Sequence, residues 1–310
     1  MEKIAMIGSG LIGRSWAIVF ARAGHAVALH DNDGAALTAN LDVLEQGLVD
    51  LSRSGLIDEP PATVRARITP APDLAAALDG AAYVQENVSE NLDAKLRVFA
   101  QLDRLAAPDC ILASSTSTFP ASSFTEHLVH RARALVAHPV NPPHLLPLVE
   151  LCPAPWTAPE VLERARRLHQ AVGQVPIVVR KEVPGFILNR LQAALLCEAM
   201  RLFEDGYATA DDIDKTVRDG LGLRWSFMGP FETIDLNAPG GVVDYVQRYG
   251  KVMAELARDT SPREWNPQTI RRLEVERRAQ LPATELAERQ AWRDRRLMAL
   301  VAHKRAAPPT

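Results

Sequence analysis

Two groups of residues in this chain have types and spacings that could do chemistry. The first is Gly8-Ser9-Gly10-Leu11-Ile12-Gly13, followed by an acid at Asp31. Gly8 permits a tight turn, Gly10 lets a pyrophosphate approach the backbone, and Gly13 lets a following helix pack close on a preceding strand. The free N–H groups and the dipole at the start of that helix favour a phosphate. Asp31 can accept hydrogen bonds from ribose hydroxyls and would repel a 2′-phosphate, so NAD is expected over NADP. The second group is Ala137-His138-Pro139-Val140-Asn141-Pro142-Pro143, followed by Leu148-Val149-Glu150-Leu151. A histidine titrates near neutrality and can exchange a proton with a hydroxyl, above all when a carboxylate orients it. The 12 positions from His138 to Glu150 are enough for the chain to loop out and return as a neighbouring strand. Taken alone, His138 reads as a strand-end histidine and Glu150 as a solvated acid. The glycine unit upstream favours reading them as a pair.

The elements that must position these residues follow from the hydrophobic pattern. Ile4 to Ile7 and Ala26 to His30 are short apolar runs on either side of a helical pattern, the order of a dinucleotide-binding βαβ unit. Further strands are expected at Ala82–Gln85, Ile111–Ser114, Ala134–Ala137, Leu148–Leu151 and Val175–Val179. Helices are expected at Ala35–Ser54, Asn91–Leu105 and Pro159–Val172. This alternation implies an α/β fold, a parallel Rossmann-type sheet covered by helices. His138 falls at the C-terminal end of a strand, the edge where open α/β sheets bind ligands. Lys181-Glu182-Val183-Pro184-Gly185 closes the strand region. Beyond it, Phe186–Asp205 reads as one long helix, and the rest is helical to about Lys304. Breaks are expected at Gly220–Pro230, Ala238–Gly241 and Ser261–Pro267, with a disordered tail from Ala306. Two domains are expected, residues 1–184 and an all-helical 185–310.

Composition bounds the function. An apolar content of 47% and a charged content of 24% are ordinary for a globular protein. The net charge of -3 offers no basic footprint for nucleic acid. No apolar run approaches membrane-spanning length, so no membrane partner is expected. The start, Met-Glu-Lys-Ile, enters a strand at once and leaves no room for a signal or transit peptide. Cys110, Cys152 and Cys197 are far apart and form no CxxC pair, which suggests neither a zinc site nor a disulfide framework. Small buried thiols in a reducing cytoplasm, with no metal, are the expectation.

Together with the motifs above, several later segments complete a resemblance. They are Arg14-Ser15-Trp16, Glu90-Asn91-Leu92-Asp93 with Lys95, Pro184-Gly185-Phe186-Ile187-Leu188-Asn189-Arg190-Leu191-Gln192, Asp219-Gly220-Leu221-Gly222-Leu223-Arg224, Gly229-Pro230 and Trp292-Arg293-Asp294. The chain resembles the 3-hydroxyacyl-CoA dehydrogenase superfamily, and within it the lambda-crystallin family, from the glycine loop to the last helices. That resemblance implies an NAD-dependent dehydrogenase fold with an inserted helical hairpin. It also implies roles. His138 would be the general base in oxidation and Glu150 would hold the imidazole. Ser117 would bond the substrate oxygen. Asn189 would help bind it, with Asn141 also in the substrate set. Gly8 to Gly13 and Asp31 would take the dinucleotide, and Glu90 and Lys95 would line the nicotinamide side of its groove. A homodimer through the helical domain is implied as well. Without the resemblance, Ser117 reads as a cap for the helix after Pro120, Asn189 as a first-turn helix residue and Lys95 as a solvated charge.

The sequence also bears on the substrate. Coenzyme A carries a phosphorylated adenosine, which sites usually hold with lysines and arginines. In hydroxyacyl-CoA dehydrogenases the inserted hairpin contributes to that contact. The matching segment here, Gly34 to Ile68, has no lysine and sets three arginines against five acids. Arg224, in the stretch Gly222 to Pro230 where acyl-CoA enzymes tend to have a shorter turn, has the fork geometry to hold a carboxylate. It reads equally as a surface arginine at a helix end. A small free L-3-hydroxy acid is therefore expected, and the resemblance to the lambda-crystallin family implies L-gulonate first. L-carnitine is the nearest alternative, its quaternary ammonium suited to an aromatic cage that Trp225, Phe227 and Phe231 could supply. A 3-hydroxyacyl-CoA comes next, and a crystallin-like structural protein is the non-enzyme alternative. The paired His138 and Glu150 argue against the last, since a structural role needs neither.

Overall fold

The computed structural model describes residues 1–258 and 263–307. The chain divides into two compact units: residues 1–189 with 291–310, and residues 190–290. The first contains an eight-stranded sheet. Its strands are β1 (Lys3–Ile7), β2 (Ala26–His30), β3 (Ile68–Pro70), β4 (Ala81–Glu86), β5 (Ile111–Ser114), β6 (Ala134–Pro139), β7 (Leu148–Pro153) and β8 (Val175–Val178). Their spatial order is β3-β2-β1-β4-β5-β6-β7-β8. Helices α1 (Leu11–Arg22), α2 (Gly34–Arg53), α3 (Pro61–Ala66), α4 (Leu74–Leu78), α5 (Leu92–Leu105), α6 (Ser122–Thr125) and α7 (Pro159–Ala171) connect them.

Both faces of the sheet are covered, so its strands are apolar on both sides. Ile4 and Met6 of β1 face one core with Trp16, Phe20, Leu44 and Leu48 from α1 and α2. Ala5 and Ile7 face the other, with Phe99 and Leu102 of α5 and Phe124 of α6. One pairing departs from the expected parallel sheet: β6 and β7 run antiparallel. The loop between them is too short for a right-handed crossover, which needs a dozen residues or more, so the chain simply turns back. β8 then pairs parallel to β7. The expected strands all form, within one or two residues at their ends. β3 was not foreseen, because three residues ending in proline carry almost no strand pattern.

Helix α8 (Leu188–Glu204) leads into the second unit. There follow α9 (Ala210–Lys215), a π-helical stretch Thr216–Leu221, α10 (Gly222–Trp225), α11 (Pro230–Leu236), α12 (Gly241–Arg258) and α13 (Pro267–Gln280). The expected break from Gly220 is instead helical through Trp225. Residues 259–262, within the expected break before Pro267, lie outside the described residues, as do 308–310 of the expected tail. α14 (Leu286–Ala306) returns to the first unit from Ala291 on. There Met298 is buried against the main core, and Arg305 donates to the Leu56 carbonyl at 2.9 Å. Among the described residues no helix is long and apolar enough to cross a membrane.

Candidate active site

The glycine turn joins β1 to α1, and each glycine there has a separate physical reason. Gly8 sits at φ +94°, and a Cβ on it would lie 2.7 Å from the Asn87 carbonyl oxygen. A Cβ on Gly13 would stand 1.8 Å from the Gly8 carbonyl oxygen, so helix and strand pack too closely for any side chain. A Cβ on Gly10 would meet nothing within 4 Å. Gly10 is therefore not needed for packing, and its bareness serves whatever approaches from outside. It is the N-cap of α1, where no side chain takes the free N–H groups. A cavity of about 470 Å³ opens there, lined by Gly8, Gly10, Asp31, Asn87 and, from α5, Arg97 and Gln101.

Asp31 stands one residue past β2. Its Oδ2 accepts the Ser9 N–H at 2.7 Å and the Ser9 hydroxyl at 2.8 Å, and its Oδ1 accepts the Asp33 N–H at 3.1 Å. Burial alone would raise its carboxyl. The bonds from Ser9 and Asp33 outweigh that and hold it below its ordinary range, so it is ionised when a ribose arrives. The bare Gly10, the uncapped helix start and the ionised acid on one cavity fit a dinucleotide with a free 2′-hydroxyl.

His138 and Glu150 face each other directly across the antiparallel β6–β7 pair. His138 Nδ1 lies 2.8 Å from Glu150 Oε2, and Glu150 is completely buried. The other oxygen, Oε1, accepts the N–H groups of Ile187 and Leu188, both at 2.9 Å. Glu150 thus terminates α8 as well as orienting the imidazole. Burial would raise its carboxyl, but the imidazole and the two backbone donors together hold it below the ordinary value. A carboxylate on Nδ1 keeps the proton on that nitrogen and leaves Nε2 free to act as a base. The Phe186 ring lies 5.4 Å from the imidazole. Phe186 is fully buried at φ +52°, a rare conformation for a side-chain-bearing residue, and it directly precedes the two N–H groups that Glu150 holds.

Ser117 lies beyond β5 in the run Ser114 to Thr118. Its carbonyl accepts Asn189 Nδ2 at 3.0 Å, and its hydroxyl lies 3.3 Å from Glu90 Oε1. The structure therefore brings Ser117, Asn189 and Glu90 together, with His138 and Glu150 joined through the start of α8. Lys95 does not line an open groove: its side chain is 1% exposed and lies within reach of Glu86 and Glu90. Asn141 is exposed, two residues past β6. Arg224 is exposed on α10, in the second unit. Sequence reasoning missed Glu86, Asn87, Phe186 and Arg97. An acid ending an apolar strand, as in Tyr83-Val84-Gln85-Glu86, was the available signal for the first. No cluster of three or more histidines, cysteines or acids suited to a metal occurs among the described residues.

Fold and site together define a nicotinamide-dinucleotide-dependent dehydrogenase. The comparisons make the class specific. Residues 3–183 match the model of the 3-hydroxyacyl-CoA dehydrogenase NAD-binding domain, and residues 185–280 match that of the 3-hydroxyacyl-CoA dehydrogenase C-terminal domain. The chain belongs to the 3-hydroxyacyl-CoA dehydrogenase family, and NAD is its cofactor. It is 42% identical to the lambda-crystallin homolog of Bos taurus over 310 residues, 98% of this chain and 96% of that protein. It is 35% identical to an L-carnitine dehydrogenase of a Pseudomonas species, over 97% of this chain and 93% of that protein. Among solved structures it is similar to 5-formyl-3-hydroxy-2-methylpyridine 4-carboxylic acid 5-dehydrogenase, described as an NAD+-dependent dismutase. That likeness has a TM-score of 0.83 and 30% identity, and covers 98% of both chains.

Proposed function

We propose that this NAD-dependent oxidoreductase oxidises the 3-hydroxyl of a small free L-3-hydroxy acid, with L-gulonate as the leading substrate. The observation that carries this reading is the state of the hairpin arginines. Arg67 is held by Glu59 at 2.5 Å, Arg53 lies 3.7 Å from Asp50, and Arg65 donates to the Ile68 carbonyl with Glu45 at 4.0 Å. Every cation of the segment already faces an acid, and the segment is net negative. That is a poor surface for the phosphates of coenzyme A. Two relatives fit the same direction, since the carnitine and pyridine carboxylic acid enzymes are named for free acids.

When bound, the dinucleotide supplies the hydride acceptor. Gly8 to Gly13 and Asp31 would hold its pyrophosphate and ribose. His138 Nε2 takes the proton of the 3-hydroxyl, and the buried Glu150 carboxylate stabilises the imidazolium that results. The Ser117 hydroxyl bonds the substrate oxygen, and Asn189 fixes the Ser117 backbone. Arg224 would receive the substrate carboxylate as a bidentate fork. It follows a π-helical stretch, a distortion frequent at functional sites. The helical part, residues 185–310, would also carry a homodimer contact, for which α12 offers exposed Val246, Val252, Met253 and Leu256.

A second reading, L-carnitine oxidation, is favoured by one observation: Trp225, Phe227 and Phe231 are all exposed close to Arg224 in the chain. NADH formation assayed in parallel with L-gulonate, L-carnitine and a 3-hydroxyacyl-CoA separates the readings. Preference for the CoA ester would overturn the proposal. The Arg224→Ala variant should raise KM for the free acid by about 10- to 100-fold, the loss of one charge-assisted fork. An unchanged KM would remove Arg224 from the site.

A further inference from the structure

β5 pairs with β6 only as far as Ser114 and Val136. The next carbonyl of β6, that of Ala137, accepts instead from a side chain two strands away. Gln85 of β4 donates to it through Nε2 at 3.1 Å. That carbonyl belongs to the peptide bond that joins Ala137 to His138. Gln85 and Ala137 are both completely buried. Gln85 Nε2 also donates to the Ser115 hydroxyl at 2.7 Å, and Oε1 accepts the Tyr83 hydroxyl at 2.7 Å.

Each proton in this chain of side chains has one place to be. A backbone carbonyl only accepts, so Ala137 fixes which end of the Gln85 amide is the NH2. Tyr83 must then donate to Gln85 Oε1, and its oxygen accepts from His169 Nε2 at 2.9 Å. Burial pushes His169 down to about 3, so its ring is neutral and carries that proton alone. Its Nδ1 is left as a bare acceptor, and it has no partner among the described residues. On the other side, Ser115 accepts from Gln85 and from Trp16 Nε1 at 3.1 Å, so its own proton goes to Asn87 Oδ1 at 2.7 Å.

Buried polar groups are costly unless each is satisfied, and an apolar residue at position 85 would pack the sheet as well. The use of the chain lies in what it holds. β7 pairs with one edge of β6, and from there Glu150 orients the imidazole. The other edge of β6 loses β5 after Val136, one residue short of the peptide bond to His138, and Gln85 takes its place.

We propose that Gln85 is a positioning residue that fixes the Ala137–His138 peptide bond, and through it the place of the imidazole beside the substrate hydroxyl. This rests on the assignment of His138 as the base.

A double-mutant cycle tests it. Gln85→Met is close in volume and removes both donors. It also leaves the Tyr83 hydroxyl without its acceptor, so Tyr83→Phe/Gln85→Met is made beside it in case the single variant folds poorly. Tyr83→Phe alone cuts the same buried chain but leaves both Gln85 donors in place. Each is measured alone and with His138→Ala, using whichever assayed acid is turned over fastest and NADH fluorescence for cofactor affinity. With His138 present, both Gln85 variants should lower kcat about 10- to 100-fold, the scale of a misplaced group, with NADH affinity within about threefold. In the His138→Ala background the same changes should cost less than about threefold. Tyr83→Phe should lower the melting temperature and leave kcat within about threefold. A loss of kcat in Tyr83→Phe equal to that in Gln85→Met would overturn the proposal, since the chain would then be structural only. Full cost in both His138 backgrounds, or weaker NADH binding with normal kcat, would overturn it as well. Near-normal turnover in His138→Ala would overturn the base assignment and the role of Gln85 with it.

Discussion

Replacing Glu150 by glutamine changes one atom from acceptor to donor, and the geometry decides which partner suffers. In the wild type both oxygens accept: Oε2 from His138 Nδ1 at 2.8 Å, and Oε1 from the Ile187 and Leu188 N–H groups at 2.9 Å. A glutamine amide can satisfy only one side. With its carbonyl toward the two N–H groups, its NH2 faces His138 Nδ1. That nitrogen must then accept, and the imidazole proton moves to Nε2, the atom that has to be empty. With the amide reversed, two part-buried donors at the start of α8 are left facing an NH2. A fully buried unsatisfied donor costs about 1–3 kcal/mol, so for two part-buried ones this orientation is disfavoured by roughly 1–3 kcal/mol in total. The first orientation wins, and the imidazole is held in the inactive tautomer. Glu150→Gln should therefore lower kcat about 10³- to 10⁴-fold. NADH affinity, read by fluorescence titration, should stay within about twofold, because Glu150 does not line the nucleotide cavity. Glu150→Ala removes both acceptors and should also lower the melting temperature. A folded Glu150→Gln enzyme with kcat within about tenfold of wild type refutes the tautomer argument.

Two further expectations follow from packing and burial. Gly10→Ala has open space for its methyl and should keep its melting temperature while weakening NADH binding by about tenfold or more, about 1.4 kcal/mol. Gly13→Ala drives its methyl onto the Gly8 carbonyl and should destabilise by about 1–3 kcal/mol or more in urea unfolding. Normal NADH affinity in Gly10→Ala would contradict the phosphate assignment. Stability should also fall in mild acid. Burial pushes His169 down to about 3, and burial with Arg22 and Arg14 nearby pushes His144 down to about 4. Both have folded values below the unfolded one, so their stabilisation is complete above about pH 6.5 and is lost as the pH falls toward the folded values. The steepest loss is about 2.7 kcal/mol per pH unit for the two together, moderated by Glu86, whose burial raises its carboxyl and acts in the opposite sense. Urea midpoints that stay flat from pH 7 to 5 would show that these histidines are not buried neutral.

The strands were legible because both faces of the sheet are covered and each strand is a continuous apolar run. The glycine turn was legible for a related reason: close approach leaves only glycine at positions 8 and 13. The His138 and Glu150 pair was readable from spacing, but the turn that opposes them was not, since 12 residues can accommodate several connections. That Glu150 also terminates α8 was hidden, because its donors lie 37 and 38 positions away. Lys95 illustrates the opposite error. A lysine in the first turn of a helix reads as solvated, and only the sheet beneath it, ending in Glu86 and Ser114, takes it out of water. Helix 216–225 was misjudged because its glycines look like breakers. Gly222 is required instead by contact, since a Cβ there would lie 2.9 Å from the Val217 carbonyl oxygen.

The chain also marks its working edge by a change of polarity within two neighbouring strands. β4 runs from Tyr83-Val84 into Gln85-Glu86-Asn87, and β5 from Leu112-Ala113 into Ser114-Ser115-Thr116. On one face Gln85 donates to Ser115 at 2.7 Å, Ser115 donates to Asn87 at 2.7 Å, and Trp16 Nε1 lies 3.1 Å from the same hydroxyl. On the other face Glu86, Ser114 and Lys95 satisfy one another. Burying polar groups is costly unless each finds its partner, and a half-satisfied network is worse than an apolar core. An apolar edge would stabilise the sheet at least as well. What the polar layer adds is two fixed handles at one height: Asn87 beside the glycine turn, and Glu90 with its loop beside Ser117. Under the proposed assignment of Ser117 to the substrate, cofactor and substrate groups would be held by the same pair of strands. A substitution that loosens this layer should disturb their relative placement before it disturbs the fold.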